Sequence, residues 1–158
     1  MFPDLMERLS DHMFIFTDGS KLNNFVAFSI TTENSVLRIA KLDEYSSNFS
    51  AEIIAIYEAC VLVRGLSSRF AICTDSLSAL RSVLNVSNTG FYPTSIRTIW
   101  IEKFPNLQLI WVPSHCGITG NELADHSAKN AIIQVLFYTD NLNWIDLARQ
   151  IDGQILLV

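Results

Sequence analysis

Short runs of apolar residues, bounded by polar segments, recur along the chain. Runs of this length that are rich in β-branched and aromatic residues are typical of strands. The pattern predicts five strands, at Met13–Asp18, Phe25–Ile30, Val36–Ala40, Arg69–Thr74 and Leu107–Val112. Only short polar segments separate the first three runs, which favours antiparallel pairing between them.

Other segments carry apolar residues at helical spacing. They predict helices at Ser50–Val63, Ser76–Leu84, Pro93–Phe104, Asn121–Ile133 and, as a short final element, Asn141–Gln150. Ser50 is the expected cap of the first helix and Gly65 its end. Three antiparallel strands followed by strands reached through helices indicate an α/β protein. We expect a mixed five-stranded sheet, in which the last two strands are added in parallel to the three antiparallel ones, with helices on both faces.

The composition is that of one globular domain. The chain has 158 residues, of which 49% are apolar and 17% charged, and such a chain buries a sizeable core. We expect residues 1–12 to be a lead-in, 13–133 the domain and 134–158 a C-terminal extension. No apolar run is long enough to span a bilayer, and the N-terminus lacks the features of a secretion signal.

Three cysteines at unrelated spacings, Cys60, Cys73 and Cys116, do not suggest a disulfide framework or a zinc site. They indicate buried or incidental thiols in a reducing compartment. The expected location is therefore intracellular, without a distinction between cytoplasm and nucleus, and no membrane partner is expected.

Four carboxylates stand in four separate motifs, at Asp18, Glu52, Asp75 and Asp125. Asp18 and Asp75 each follow a strand-like apolar run, whereas Glu52 and Asp125 lie on predicted helices. Carboxylates are costly to bury together unless a cation neutralises them. Hard oxygen ligands without a His/Cys cluster favour Mg²⁺ or Mn²⁺ over zinc, so the pattern predicts a divalent metal site.

The motifs and their order resemble type 1 ribonuclease H, particularly the version fused to reverse transcriptases in non-LTR retrotransposons. The resemblance rests on TDGSK at 17–21, SAEIIAI at 50–56, TDSLSAL at 74–80 and WVPSHCGITGNELAD at 111–125. It implies a ribonuclease H-like fold and a metal-dependent endonuclease that hydrolyses the RNA strand of RNA–DNA hybrids. The implied setting is a retroelement polyprotein that also contains a reverse transcriptase domain.

The same resemblance implies a role for each carboxylate. Asp18 would bridge two Mg²⁺ ions, with Mn²⁺ as the expected substitute. Asp125 would help hold the ion on the side of the attacking water, and Glu52 and Asp75 the ion on the side of the leaving group. Two-metal sites of this kind stabilise both the attacking and the departing oxygen.

Two further residues would assist the reaction. The family has a mobile histidine at the position of His115, where it helps proton transfer and product release, and imidazole exchanges protons near neutral pH. Glu122 lies three residues before Asp125 on the same helical face, where it could orient a water or the 2′-hydroxyl. His12 and His126 have no such context and are expected to be structural or surface residues.

Distinguishing RNA from DNA requires contacts to 2′-hydroxyls in the minor groove. The candidates for substrate contacts are Gly19, Ser20, Asn48, Ser76 and Asn121, of which Asn121 is also the expected cap of its helix.

The chain departs from the family in its substrate contacts. Many relatives have glutamine where this chain has Leu77, and residues 85–105 supply only Arg97 and Lys103 in place of a basic substrate handle. The net charge of −5 adds to these departures, so we expect weak binding of nucleic acid by the domain alone.

Plainer interpretations remain open for each residue. Asp18 and Asp75 could be turn formers, Glu52 a helix N-terminal charge and Asp125 an exposed helix residue. At the level of function, the alternative is a catalytically inactive module of the same fold that serves as a scaffold or binds nucleic acid. An integrase or transposase is a weaker alternative, because an acidic triad does not account for the GNELAD segment together with His115.

Overall fold

The computed structural model describes residues 2–133. Its elements, in chain order, are α1 Phe2–Arg8, β1 His12–Leu22, β2 Phe25–Thr31, β3 Val36–Leu42, α2 Asn48–Arg64, β4 Arg69–Thr74, α3 Leu77–Leu84, α4 Phe91–Lys103, β5 Leu107–Trp111 and α5 Thr119–Ile133. The helix predicted at Asn141–Gln150 and the extension 134–158 lie outside the described residues. Within residues 2–133 we find no helix long and apolar enough to cross a membrane.

The five strands form one mixed sheet in the order β3-β2-β1-β4-β5. β1 pairs antiparallel with β2, and β2 pairs antiparallel with β3. β1 pairs parallel with β4, and β4 pairs parallel with β5. The predicted mixed five-stranded sheet is therefore confirmed, and β1 is its central strand.

Helices cover both faces of this sheet. Ile15 belongs to the core that β1 forms with α2, α3 and α4, whereas Phe16 lies in the opposite core with Ala124 of α5. Successive side chains of a strand point to opposite faces, so the central strand contributes to both cores. On the α5 side, the ring of Phe2 in α1 meets Phe14 and Phe16 edge-on, with centroids 6.1 and 6.4 Å apart.

The first strand is longer than predicted. β1 continues past Asp18 to Leu22, and Asp18 pairs with Ser29 in the middle of the β1–β2 ladder. The pairing runs to Leu22 and Phe25 because Asn23, with φ of 53°, turns the chain in a conformation that asparagine tolerates. The expectation that the strand ends at the carboxylate is wrong.

Other boundaries also differ. The predicted lead-in contains α1, and α4 begins at Phe91 instead of Pro93. The cap of α2 is Ser47, whose hydroxyl accepts from the Ser50 N–H at 3.0 Å, so the prediction that Ser50 is the cap is wrong. Gly65 does end α2, as predicted.

All three cysteines are free thiols. Cys60 and Cys73 are buried in the core, and Cys116 is exposed in the loop before α5. Burial raises the pKa of each buried thiol to about 12, so neither is a ready nucleophile. The expectation of buried or incidental thiols is met.

Candidate metal centre

Asp18, Glu52 and Asp75 converge from three different elements. One oxygen of each carboxylate lies within 4.8 Å of the corresponding oxygens of the other two. Thr17 of β1 pairs with Thr74 of β4, so the residues that follow these threonines lie side by side. Glu52 arrives from the second turn of α2.

Gly19 is what allows α2 to come this close to β1. A Cβ at position 19 would lie 2.6 Å from the Glu52 nitrogen and 2.8 Å from atoms of Ala51. Real Cβ atoms do not approach backbone at such distances, so the contact requires glycine. Gly19 therefore helps bring Glu52 to Asp18, in addition to any contact it makes with a substrate.

The first two carboxylates are buried, with relative exposures of 5% for Asp18 and 6% for Glu52. Burial, reinforced by the charges of Asp75 and Asp125, raises the pKa of Asp18 to about 8. Burial, reinforced by the charges of Asp18 and Asp75, raises the pKa of Glu52 to about 9. The backbone amide of Gly19 opposes both rises but does not cancel them.

Two oxygens of this cluster lack a partner within the described part of the chain. Asp18 Oδ2 and Glu52 Oε2 are buried there without a hydrogen-bond partner. Such atoms are expensive to bury unless a cation or a donor neutralises them. A set of clustered carboxylate oxygens fits Mg²⁺ or Mn²⁺, so Asp18, Glu52 and Asp75 could hold a divalent cation.

Asp125 stands outside this group of three. It lies on α5, and its carboxylate is 2.7 Å from Lys129 Nζ, one helical turn further along. Its charge nevertheless contributes to the raised pKa of Asp18, and that of Lys129 opposes the rise. The structure thus brings three of the four predicted ligands together and pairs the fourth with a lysine nearby.

Buried contacts with the sheet fix the position of α5. A Cβ at Gly120 would lie 2.1 Å from the Phe16 ring, so helix and strand meet without an intervening side chain. Thr31 Oγ1 donates to the Gly120 carbonyl at 3.1 Å, and Ser29 Oγ donates to the Ala124 carbonyl at 2.6 Å. The first turns of α5 are therefore held against β1 and β2.

Asn121 has a different position from the one predicted. Helix α5 begins at Thr119, so Asn121 lies within its first turn, and the prediction that it is the cap is wrong. The Glu122 N–H donates to the Ile118 carbonyl at 3.0 Å, which closes a turn before Asn121, and Gly120 lies within that turn against Phe16. The Asn121 side chain is only 2% exposed, and its Nδ2 donates to Asp75 Oδ2 at 3.1 Å.

The two predicted helper residues lie near each other. His115 has φ of 52° in the loop between β5 and α5, and its side chain is 69% exposed. Its Nδ1 lies 4.0 Å from Glu122 Oε2. The histidine therefore has the solvent access that a proton carrier needs, and it lies beside the carboxylate of Glu122.

The predicted substrate contacts occupy varied positions. Ser20 is half-buried on β1, and Asn48 is exposed at the first position of α2, one turn before Glu52. Ser76 is the cap of α3, and its Oγ accepts from the Ala79 N–H at 3.4 Å. Its hydroxyl therefore already has a structural role.

Sequence reasoning missed two residues of this region. Lys129 pairs with Asp125, and the spacing of four residues on a predicted helix was a visible signal for it. Trp111 donates from Nε1 to the Asp75 carbonyl at 3.2 Å, for which the sequence offered no comparable signal.

Comparison with known proteins agrees with this architecture. The family model for RNase H matches residues 10–133, which is more than half of the chain. The chain belongs to the RNase H family. The narrower resemblance to non-LTR retrotransposon domains stays a prediction.

Solved structures share the fold at low sequence identity. The protease–reverse transcriptase of prototype foamy virus is 21% identical with a TM-score of 0.63, covering 79% of this chain and 21% of that one. LC11-RNase H1, isolated from compost by a metagenomic approach, is 19% identical with a TM-score of 0.57, covering 77% and 98%. The chain thus spans about a fifth of the viral protein and nearly all of LC11-RNase H1.

Proposed function

We propose that this chain is a metal-dependent endonuclease that hydrolyses the RNA strand of RNA–DNA hybrids. The observation that carries the proposal is the cluster of Asp18, Glu52 and Asp75, in a chain that belongs to the RNase H family. A divalent cation bound there would stabilise charge that develops on the phosphate and on the leaving oxygen. The proposed ions are two Mg²⁺, with Mn²⁺ as a substitute.

The protein's own contribution is a rigid set of anionic ligands. Asp18 is held within the central strand and Glu52 by the close approach of α2 at Gly19. Asp75 directly follows β4 and lies beside Asp18, because Thr17 pairs with Thr74. Asp125 is the proposed fourth ligand, and it would exchange its contact with Lys129 for the cation.

His115 is the proposed proton carrier. It is exposed in the loop before α5, so its ring is open to solvent and to a bound substrate. Imidazole is the side chain that most often transfers protons in catalysis, and Glu122 Oε2 lies 4.0 Å from the ring nitrogen Nδ1, where it could orient the ring. The proposed role is proton transfer to the departing product.

The proposed biological setting is a polyprotein that joins this domain to a reverse transcriptase. The support is the resemblance of the motifs to domains fused to reverse transcriptases, together with the structural match to part of the foamy virus protease–reverse transcriptase. A related foamy viral structure is in complex with an RNA/DNA hybrid, at 19% identity and a TM-score of 0.57. Removal of template RNA after first-strand synthesis is the proposed task.

The buried carboxylates also weigh against a catalytically inactive module. Asp18 and Glu52 are buried with raised pKa values and unpartnered oxygens within residues 2–133. A scaffold gains nothing from this arrangement, because apolar or hydrogen-bonded residues would be more stable there. A metal site would account for the arrangement, because a bound cation would neutralise the buried carboxylates.

The test is cleavage of an end-labelled RNA–DNA hybrid beside matched RNA and DNA duplexes, in saturating Mg²⁺. We expect cleavage of the RNA strand of the hybrid alone, and none by Asp18→Asn. Equal cleavage of the RNA duplex would contradict the proposed substrate. Binding of the hybrid without cleavage would support the inactive module.

A further inference from the structure

Asp75 differs from the other two clustered carboxylates in how it is held. It lies one residue beyond β4, which ends at Thr74, so the strand ladder does not fix its side chain. It is also more exposed than Asp18 and Glu52. Trp111 Nε1 donates to its main-chain carbonyl at 3.2 Å, which restrains the backbone but leaves the carboxylate to be oriented by another group.

That group is the side chain of Asn121, whose Nδ2 lies 3.1 Å from Asp75 Oδ2. We propose that Asn121 is a positioning residue that orients the Asp75 carboxylate for metal binding, an inference that rests on the proposed function. It acts through Asp75 and does not itself contact the reacting atoms.

Asn121 is well placed for this task because its own position is fixed. Gly120 before it contacts the Phe16 ring, and the carbonyls of Gly120 and Ala124 accept hydrogen bonds from buried hydroxyls of β2. The side chain is 2% exposed, which removes competition from bulk water for its donor. An ionised carboxylate only accepts hydrogen bonds, so the amide must present its NH₂ group to Asp75.

The chemistry of the donor matters as much as its position. A lysine or arginine at position 121 would form an ion pair with Asp75, as Lys129 does with Asp125, and would compete with a cation for the carboxylate. An amide orients the carboxylate and leaves its negative charge available. Hydrogen bonds of this kind to metal ligands typically change metal affinity or activity by about 10–100-fold.

The other polar atom of the Asn121 side chain is in an unfavourable position, which supports a functional reason for the asparagine. Asn121 Oδ1 is buried and has no hydrogen-bond partner within residues 2–133. A buried, unsatisfied amide oxygen is destabilising, so an apolar residue would suit a purely structural position better. The donor to Asp75 accounts for keeping the amide.

The test measures metal binding directly, on protein without substrate. Mn²⁺ is titrated by electron paramagnetic resonance into the wild-type chain, Asn121→Ala, and the matched control Asn130→Ala. Asn130 is on the same helix, and its Nδ2 lies 2.8 Å from His126 Nε2, so its side chain contacts a histidine instead of Asp75. Circular dichroism melting confirms that each variant is folded.

We expect Asn121→Ala to weaken Mn²⁺ binding by about 10-fold or more while Asn130→Ala leaves it unchanged. Hybrid cleavage by Asn121→Ala should fall at low Mg²⁺, recover at saturating Mg²⁺, and show an unchanged KM for the hybrid. If Asn121→Ala does not fold, Asn121→Ser is measured in its place. The serine side chain is one bond shorter than asparagine, so its hydroxyl keeps a polar group at the position but does not reach Asp75.

The outcomes separate this inference from the proposed activity. Unchanged Mn²⁺ affinity in a folded Asn121 variant would overturn the positioning role even if the wild type cleaves hybrid. Absence of Mn²⁺ binding to the wild type would overturn it as well. Weakened Mn²⁺ binding together with an inactive wild type would uphold the positioning role and reject the proposed nuclease activity.

Discussion

Gly19 and Glu52 meet through their backbones, so closely that a Cβ at position 19 would lie 2.6 Å from the Glu52 nitrogen. Strand β1 and helix α2 are thereby held together at the point where their carboxylates converge. The glycine that follows Asp18 is thus a packing requirement of the site, because a larger residue would move Glu52 away from Asp18.

The first prediction tests this contact with Gly19→Ala. The added methyl group must displace α2, and overpacking of this kind costs about 1–3 kcal/mol of stability. We also expect Mg²⁺ to stabilise the variant less than the wild type, because Glu52 no longer reaches the other carboxylates. Thermal unfolding with and without Mg²⁺ measures both effects.

Gly65→Ala is the matched control for this variant. A Cβ there would meet nothing within 4 Å, and Gly65 has φ of −88°, so alanine fits without strain. Its stability should change by about 0.5 kcal/mol or less. Equal behaviour of the two glycine variants would contradict the proposed packing role of Gly19.

The second prediction concerns Asp18→Asn in EDTA. The raised pKa of Asp18, about 8 against an ordinary value of 3.8, means that the folded state retains a proton that the unfolded chain releases. Between these values stability falls as pH rises, because the unfolded state binds fewer protons. Replacing the carboxyl by an amide removes this contribution.

We therefore expect metal-free wild type to lose stability between about pH 5 and pH 8, in the direction that linkage requires. Asp18→Asn should be the more stable protein at pH 8 and show a shallower slope, with the remainder due to Glu52. Urea unfolding at several pH values measures this, with exposed Glu33→Gln as control. A variant less stable than wild type at pH 8 would argue against a strained, uncompensated cluster.

The third prediction separates His115 from the metal ligands. His115→Ala should slow hybrid cleavage by about 10²–10⁴-fold, the usual contribution of general acid–base catalysis, without loss of Mg²⁺ binding. Because the side chain is 69% exposed, folding should be unaffected. The rate of hybrid cleavage is measured under single-turnover conditions. In that assay His126→Ala, at an exposed position of α5, should keep full activity. A His115 variant with wild-type rates would remove the histidine from the mechanism.

The fourth prediction concerns affinity. The chain has a net charge of −5. Arg97, one of the two basic residues within 85–105, donates to the carbonyls of Val83 and Asn88 at 2.8 and 2.6 Å, so its charge is already engaged within the protein. Because phosphate neutralisation supplies much of nucleic-acid affinity, the isolated domain should bind hybrid weakly and with strong dependence on salt. Fluorescence anisotropy at two salt concentrations tests this. Nanomolar binding that barely changes with salt would contradict it.

Leu77→Gln should increase that affinity with little change in the maximal rate. Leu77 is 41% exposed at the start of α3, beside Ser76 and Asp75, where a polar side chain could contact the hybrid. The control is Leu84→Gln, which is 61% exposed at the far end of the same helix. If both substitutions have the same effect, position 77 makes no specific contact.

The secondary structure was predictable because it follows from patterns of apolar and polar residues close together in the sequence. Short apolar runs predicted every strand of the described residues, and apolar residues at helical spacing predicted four of the five described helices. α1 was missed because its seven residues are stabilised by a tertiary contact, the packing of Phe2 on Phe14 and Phe16. The end of β1 was misplaced because polar residues such as Asp18 resemble a turn, although here they line a site within a central strand.

The residues of the candidate site were identified by motif, but their relations depend on tertiary geometry. The pairing of Asp125 with Lys129 could have been inferred from spacing along a helix. The contact of Asn121 with Asp75 could not, because 46 positions separate the two residues and only the docking of α5 on Phe16 joins them.

The measurement that tests the central claim most directly is a Mg²⁺ titration of hybrid cleavage, begun in EDTA and run with wild type and Asp18→Asn in parallel. The carboxylate cluster predicts no cleavage in EDTA, a rise to saturation as Mg²⁺ or Mn²⁺ is added, and no activity of Asp18→Asn at any concentration. Cleavage that proceeds undiminished in EDTA, or that survives the loss of Asp18, would contradict the account.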